Sequence, residues 1–389
     1  MKTLSLIKNA RVLAPGKLGI RHLIIAGEKI AWMGDTVPSL PAGTPVIDLE
    51  GQTVVPGLVD GHVHLTGGGG ESGFATRVPP LGLSRYTAAG VTTAIGVLGT
   101  DDCTRSTRDL VAQALGLREQ GLSAWCHTGG YHLPPVTITG SVRDDVVFIE
   151  PVIGVGEVAI SDHRSSQPTS DELMRLASEV HVAGLITGKA GIVHLHLGDG
   201  ERGLGLVRDI LARSELPARV FNPTHCNRRS ALFDEALALA GQGCTIDLTA
   251  FPVADDDDAL WADDALARFL NEGAPAGNIT VSSDGGGCLP VFNPQGEMLS
   301  MDIGQPGALL DMLRRALSRG VDLADALPSV TSNPARLLRL SNKGRIAEGA
   351  DADLLVVDDA VNLTDVMARG RWHLRESQPL VRGVFEETE

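Results

Sequence analysis

The sequence predicts an α/β protein: a (β/α)8 TIM barrel carrying a small β-sandwich domain built from both chain termini. Three observations predict it. Short runs of branched apolar residues broken by Gly, Pro and Asp fill the first 55 or so residues, in LSLI, ARVL, HLIIAG, KIAWMG, TPVIDL and TVV. That is the texture of short strands rather than helices. The same texture returns after about residue 344, in GRIAEGADADLLVVD, VMARGRWHL and PLVRGVFE. Between the two lie eight apolar runs ending in Gly, Asp, Thr or His: GLVDGHVH, VTTAIGVLG, LSAWCHTGG, PVIGVGEVAIS, GIVHLHLGD, ARVFNPTH, CTIDLTA and NITVSSDG. Helical segments such as TRSTRDLVAQALGLREQ and SDELMRLASEVHVAGL join them. The expected division is 1–55 and 344–389 for the two parts of the β-domain, with the barrel at 56–343.

A doubly wound sheet is the architectural alternative, and its dinucleotide fingerprint is missing. The glycines at 67–70 follow a strand but do not open a helix in G-x-G-x-x-G spacing. A chain of 389 residues with 43% hydrophobic content can bury a large core. Lys plus Arg at 33 against Asp plus Glu at 48 gives a net charge of −15, which leaves no basic surface to neutralise a phosphate backbone. Nucleic acid is therefore not an expected partner. Five scattered cysteines without a C-x-x-C pair argue against a disulfide framework and a zinc knuckle. The opening MKTLSLIKNARV lacks a signal peptide's long apolar core, and the longest uncharged stretch, 121–142, carries His, Gly and prolines unsuited to a lipid span. A cytoplasmic protein without membrane contact is expected. The acidic run 255–258 reads as a solvated loop and helix N-terminus.

In a barrel of this kind, polar residues at the C-terminal strand ends carry the chemistry. His62 and His64 close the first strand and, spaced i and i+2, point to one face. His196 closes the fifth strand, His225 the sixth and Asp284 the eighth. His194, two residues deeper than His196, competes for the same role, and the strand-end rule favours His196. A single histidine in such a chain is ordinarily a hydrogen-bonded core or surface residue, the reading given to His22, His181 and His373. Four imidazoles and a carboxylate in this order suit two divalent metal ions, which need a further bridging carboxylate to sit roughly 3.5–4 Å apart.

This pattern resembles the amidohydrolase superfamily, whose binuclear members bridge their metals with a carboxylated lysine on the fourth strand. No lysine occurs between Lys29 and Lys189. Glu157 in VIGVGEVAISDHR takes that place instead. Its shorter side chain requires the backbone to approach the metals, which Gly154 and Gly156 allow through a bulge. The bland alternative is a loop carboxylate paired with Arg164.

Within the superfamily, HVHLTGGGGESG, SAWCHTGGYHLP, TITGSV, AISDHRS, PTHCNR, TIDLT and SSDG together resemble the isoaspartyl dipeptidases, over nearly the whole chain. The resemblance implies His62, His64, His196, His225 and Asp284 as metal ligands and Glu71 as the acceptor of a substrate α-ammonium. It implies Arg164 and Arg228 as carboxylate binders, Tyr131 as a hydrogen-bond donor to the developing oxyanion, and Thr100 lining the pocket. Cys288 stands where the family carries a serine that helps hold a substrate carboxylate. The implied reaction is hydrolysis of a β-aspartyl dipeptide by hydroxide activated between two divalent ions, zinc the first candidate, with Asp284 moving the proton. A homo-oligomer, up to an octamer, is implied as well. The chemistry agrees: a zwitterionic dipeptide needs one anion for its ammonium and guanidinium forks for its carboxylates. The alternatives are an N-acyl amino acid deacylase, a cyclic-amide hydrolase and, more remotely, a non-catalytic scaffold.

Overall fold

The structure is a computed structural model that describes residues 4–254, 258–292 and 298–386. Eight parallel strands form where the apolar runs predict them, at Leu58–Val63, Val91–Gly96, Ser123–Thr128, Val152–Ile160, Val193–Leu197, Phe221–Thr224, Ile246–Thr249 and Ile279–Ser282. The first six pair in sequence order as one parallel sheet and the last two pair with each other. At one seam the Cys226 amide donates to the Asp247 carbonyl, and at the other the His64 amide donates to the Gly285 carbonyl. Every residue of these strands is buried except Gly61 and Trp125, which are half-buried, so the runs read as continuously apolar rather than alternating.

The helices cover this sheet for local reasons. Thr107–Glu119 starts at Ser106, whose side chain accepts from the Asp109 amide, and buries Leu110, Ala114 and Leu117 at i, i+4 and i+7. Ser170–Thr187 opens on a capping box between Thr169 and Glu172 and stops at Gly188, which is left-handed at φ 74°. Its buried stripe is Leu173, Leu176, Ala177, Val180, Ala183 and Gly184. Truncating a core leucine such as Leu110 or Leu173 to alanine costs about 2–5 kcal/mol.

The two termini build one mixed sheet. Its order runs Gln378–Pro379, Arg371–Arg375, Leu363–Ala368, Leu354–Val357, Thr53–Pro56, Leu4–Leu13, Lys17–Ala26, Lys29–Gly34, with Val46–Asp48 also on Leu4–Leu13. The antiparallel pairing of Leu354–Val357 with Thr53–Pro56 joins the halves. The expectation of a sandwich is corrected here, because the strands hydrogen-bond as a single sheet. Leu4–Leu13 is long enough to pair Lys17–Ala26 along one edge while its other edge takes Val46–Asp48 at Leu6 to Lys8 and Thr53–Pro56 at Arg11 and Val12. A register shift between Ile7 and Ala10, where Asn9 has φ 53°, bends the strand. Its core packs Ile7, Val12, Leu23, Ile25, Ile30, Val54, Leu354, Val356 and Met367 together.

One element was not anticipated in the sequence: an antiparallel hairpin, Cys288–Phe292 with Met298–Ile303, follows the eighth parallel strand. Of the acidic run 255–258, only Asp258 lies within the described residues, and it is exposed.

Candidate active site

All six residues expected to hold metal meet at the C-terminal ends of the parallel strands. His62 is fully buried, and His64, Glu157, His196, His225 and Asp284 are at most 6% exposed. The Nε2 atom of His62 lies 3.6 Å from Glu157 Oε2 and 3.5 Å from Asp284 Oδ1. His64 Nε2 is 3.4 Å from Glu157 Oε1 and 3.1 Å from Asp284 Oδ1. On the other side of Glu157, His196 Nδ1 is 3.2 Å and His225 Nε2 3.6 Å from Oε2. Glu157 thus turns one oxygen toward His64 and the other toward His196 and His225.

The backbone is shaped to deliver these groups. His225 and Asp284 each follow a strand end in left-handed geometry, at φ 61° and φ 52°. Such a conformation in a non-glycine residue costs about 1–3 kcal/mol and persists where the surroundings impose it. The fourth strand carries the expected irregularity: its pairing with the fifth jumps from Val155 opposite Val193 to Val158 opposite Leu195. A Cβ on Gly156, at φ 150°, would fall 2.6 Å from the His194 carbonyl oxygen. Glycine is therefore required for Glu157 to come this close. Lys189, the alternative bridge, is elsewhere. Its ammonium donates to the carbonyls of Val146, Ile149 and Val152, at the opposite end of the fourth strand.

The donor set fits divalent ions. Two groups, His62 with His64 and Asp284, and His62 with Glu157 and His225, each bring three ligand atoms within 4.8 Å of one another. The buried His62 Nε2 and Asp284 Oδ1 have no hydrogen-bond partner among the described residues. Imidazole nitrogens facing carboxylate oxygens are an arrangement that a cation between them satisfies. Burial disfavours a charged His62, yet Glu157 and Asp284 outweigh it and raise its pKa to about 9. Against their own burial, the imidazoles around them hold Glu157 well below the usual carboxylate range and Asp284 likewise low. Both carboxylates are anions poised for a cation.

Around this cluster opens a cavity of about 440 Å³, lined by His64, Glu71, Thr100, Tyr131, Glu157, Arg164, His196, His225, Arg228, Asp284 and Cys288. Every expected site residue but the deeper His62 faces it. Glu71 is delivered by the glycine turn before it, where a Cβ on Gly67, φ 76°, would strike the Val78 carbonyl oxygen at 1.9 Å. Arg105 locks that turn by donating to the carbonyls of Thr66, Gly68 and Val78. Arg164 does not pair with Glu157. It grips Asp162 through Nε at 3.0 Å and NH2 at 2.7 Å, while NH1 faces Glu71 Oε1 at 3.5 Å. Arg228 NH1 lies 3.7 Å from Asp199 at the rim. The Tyr131 hydroxyl is 2.7 Å from His196 Nδ1, and burial keeps it protonated by raising its pKa well above 10. Burial, then Glu71 and Asp284, push the Cys288 thiol up to about 12.

Two supporting residues were missed. Asp162 accepts from His196 Nε2 at 3.0 Å and from Arg164, so it orients a metal-facing imidazole and an arginine together. Thr249 meets His225 Nδ1 at 2.7 Å. Both sit at strand ends, and the rule that selected Asp284 selects them too.

Comparison with known proteins agrees with this geometry. Residues 45–99 and 263–373 match the amidohydrolase family. The solved β-aspartyl dipeptidase of Fervidobacterium islandicum AW-1, in complex with β-Asp-Leu dipeptide, is 42% identical over 99% of this chain and 100% of its own, with a TM-score of 0.93. The chain belongs to the amidohydrolase family, on its β-aspartyl dipeptidase branch. An imidazolonepropionase of Ruegeria sp. (strain TM1040) is a more distant relative in the family, 26% identical over 86% of each chain. A D-hydantoinase shares the fold, with a TM-score of 0.71 at 16% identity over 98% of each chain. The amidohydrolase fold, the hydrolase class and a metal-binding cluster of histidines and carboxylates thus coincide in one chain.

Proposed function

We propose that the chain hydrolyses β-aspartyl dipeptides at a pair of divalent ions, zinc the first candidate, held by His62, His64, Glu157, His196, His225 and Asp284. The observation that carries this reading is the adjacency of Glu71 and Arg164, 3.5 Å apart in the wall of the cavity. An isoaspartyl residue bears its free ammonium and carboxylate on one carbon, a single methylene from the scissile carbonyl, and that pair of opposite charges complements Glu71 beside Arg164. Arg228, at the rim, takes the C-terminal carboxylate of the leaving amino acid. Thr100 and Cys288 complete the wall.

When bound, the ions supply a water of lowered pKa and a Lewis acid for the amide carbonyl. Asp284 accepts the proton of the attacking water and delivers it to the leaving nitrogen. Tyr131, a neutral hydroxyl, donates to the oxygen of the tetrahedral anion, a contact worth about 3 kcal/mol by the scale of oxyanion-hole deletions. Glu157 would help hold the ions with a native carboxylate, which needs no carbon dioxide. The seam contacts at His64–Gly285 and Cys226–Asp247 support reading the eight strands as a closed barrel, flanked by a terminal domain at 1–55 and 344–389. We further read the protein as a cytoplasmic homo-oligomer.

The test is a rate comparison of β-Asp-Leu, α-Asp-Leu, N-acetyl-aspartate and dihydroorotate with metal content measured on the same sample. β-Asp-Leu is expected to be the preferred substrate, and Glu71→Gln to cut its kcat/KM by at least ~10²-fold. Faster cleavage of α-Asp-Leu, or preference for either of the other two compounds, contradicts the assignment.

A further inference from the structure

We propose that a hydrogen-bond relay through the barrel interior, from the Thr245 carbonyl through Asn222 and His194 to His62, fixes the tautomer of His62 and makes its Nε2 a metal donor. The relay lies beneath the cavity, and none of its members except His62 belongs to the ligand set. It rests on reading the mouth as a metal centre.

The direction of each bond follows from the donors available. The Thr245 carbonyl can only accept, so the Asn222 atom 2.7 Å from it is the donor Nδ2. The amide oxygen Oδ1 then points the other way, at His194 Nδ1 2.7 Å distant, and as an acceptor it places a proton on that nitrogen. The neutral His194 ring is left with a lone pair on Nε2, which stands 2.8 Å from His62 Nδ1. The neutral, metal-binding form of His62 must therefore carry its proton on Nδ1, which leaves the Nε2 lone pair aimed between Glu157 and Asp284. That Nε2 is a buried atom without a hydrogen-bond partner among the described residues, and His62 is the residue shared by both candidate ligand groups. The relay ends at the one nitrogen of His62 that could donate to an ion at the mouth.

The same bonds remove His194 from competition as a ligand. Its Nδ1 meets Asn222 and its Nε2 meets His62, neither is paired with Glu157 or Asp284 among the described residues, and its ring is stacked on His127 at 5.5 Å with an interplanar angle of 17°. His62, His194, Asn222 and Thr245 are each at most 3% exposed, so water does not substitute for a missing member. An imidazole is a ligand through one nitrogen only when the hydrogen bond of the other selects the tautomer. Asn222 is thus a positioning residue that acts on the metal through two intervening rings.

The experiment combines ring-nitrogen NMR of the protein labelled with ¹⁵N-histidine, zinc-free and zinc-loaded, with zinc affinity measured by chelator competition. The wild type is expected to show His194 and zinc-loaded His62 both protonated at Nδ1. His194→Leu and Asn222→Leu are expected to weaken zinc binding by about 10–100-fold. His194→Gln places an amide oxygen near His62 Nδ1 and is expected to restore most of that loss. Zinc bound by the wild type with His62 protonated at Nε2, or with His194 as a ligand, overturns the relay while leaving the metal centre intact. Unchanged affinity in both leucine variants does the same. Failure of the wild type to bind zinc or another divalent ion overturns both. Should the leucine variants not fold, the wild-type tautomers decide alone.

Discussion

Two buried clusters of charge in this molecule are built to opposite ends. Near the terminal sheet, the ammonium of Lys343, 5% exposed, meets Asp351 at 2.8 Å, Asp353 at 2.7 Å and the Ser123 hydroxyl at 2.5 Å. Its three N–H donors have three acceptors, and Asp353 also receives the Arg369 amide. That cluster is closed. At the barrel mouth, His62 Nε2, Asp284 Oδ1 and Glu71 Oε2 are buried with no hydrogen-bond partner among the described residues. The first cluster completes itself with its own chain and serves the fold. The second leaves donors and acceptors unused within the described residues, and in the proposed reading an ion and a substrate take them up. The difference shows how a buried charge is read: by whether its neighbours use up its donors and acceptors, rather than by burial alone.

The contrast can be broken from either side. At the mouth, Asp284→Asn leaves the shape but removes the anion and the proton acceptor. Turnover is expected to fall by about 10²–10⁴-fold in a steady-state assay on β-Asp-Leu, with at least one metal retained by elemental analysis. Retention of most activity removes Asp284 from the mechanism. At the closed cluster, Lys343→Met leaves Asp353 buried without its counter-charge, a loss of about 3–5 kcal/mol of stability. Denaturant unfolding should register that loss, while the KM of the folded fraction stays at the wild-type value. A change in KM without a change in stability means that the two clusters are not separate.

The smallest effect is expected at Cys288, which touches the open cluster without completing it. Cys288→Ser should keep activity within about tenfold, or about 1.4 kcal/mol. With its thiol pushed up to about 12, Cys288 carries almost no thiolate at pH 8, and the fraction rises with pH toward that value. Iodoacetamide at pH 8 should therefore label the exposed Cys103 long before Cys288, by mass spectrometry of the digested protein. Rapid labelling of Cys288, or an acylated Cys288 trapped during turnover, contradicts a simple wall role.

Much of this was legible in the chain because the signals are local. The eight strands show as apolar runs of the right length, and their polar ends place His62, His64, His196, His225 and Asp284. Glu157 is legible through an absence, since no lysine precedes Lys189 on that stretch. What was not legible depends on register. Asn222 stands opposite His194 across two parallel strands, a pairing fixed by the backbone rather than by any motif. Asp162 was hidden behind Arg164 in SDHR, because the same tetrapeptide offers a carboxylate and a guanidinium and only geometry shows that they grip each other. The terminal sheet failed to divide into a sandwich because one strand, bent at a bulge, pairs along both edges.

Completion of the open cluster by divalent ions on a native carboxylate is the proposal on which the rest depends. It is tested most directly by titrating zinc into metal-free protein in bicarbonate-free buffer and following β-Asp-Leu hydrolysis. Activity is expected to be absent at the start, to rise with added zinc and to level off at two equivalents per chain, with Glu157→Ala losing the second equivalent and most of the rate. Full activity without metal, or recovery only when bicarbonate is supplied, would contradict it.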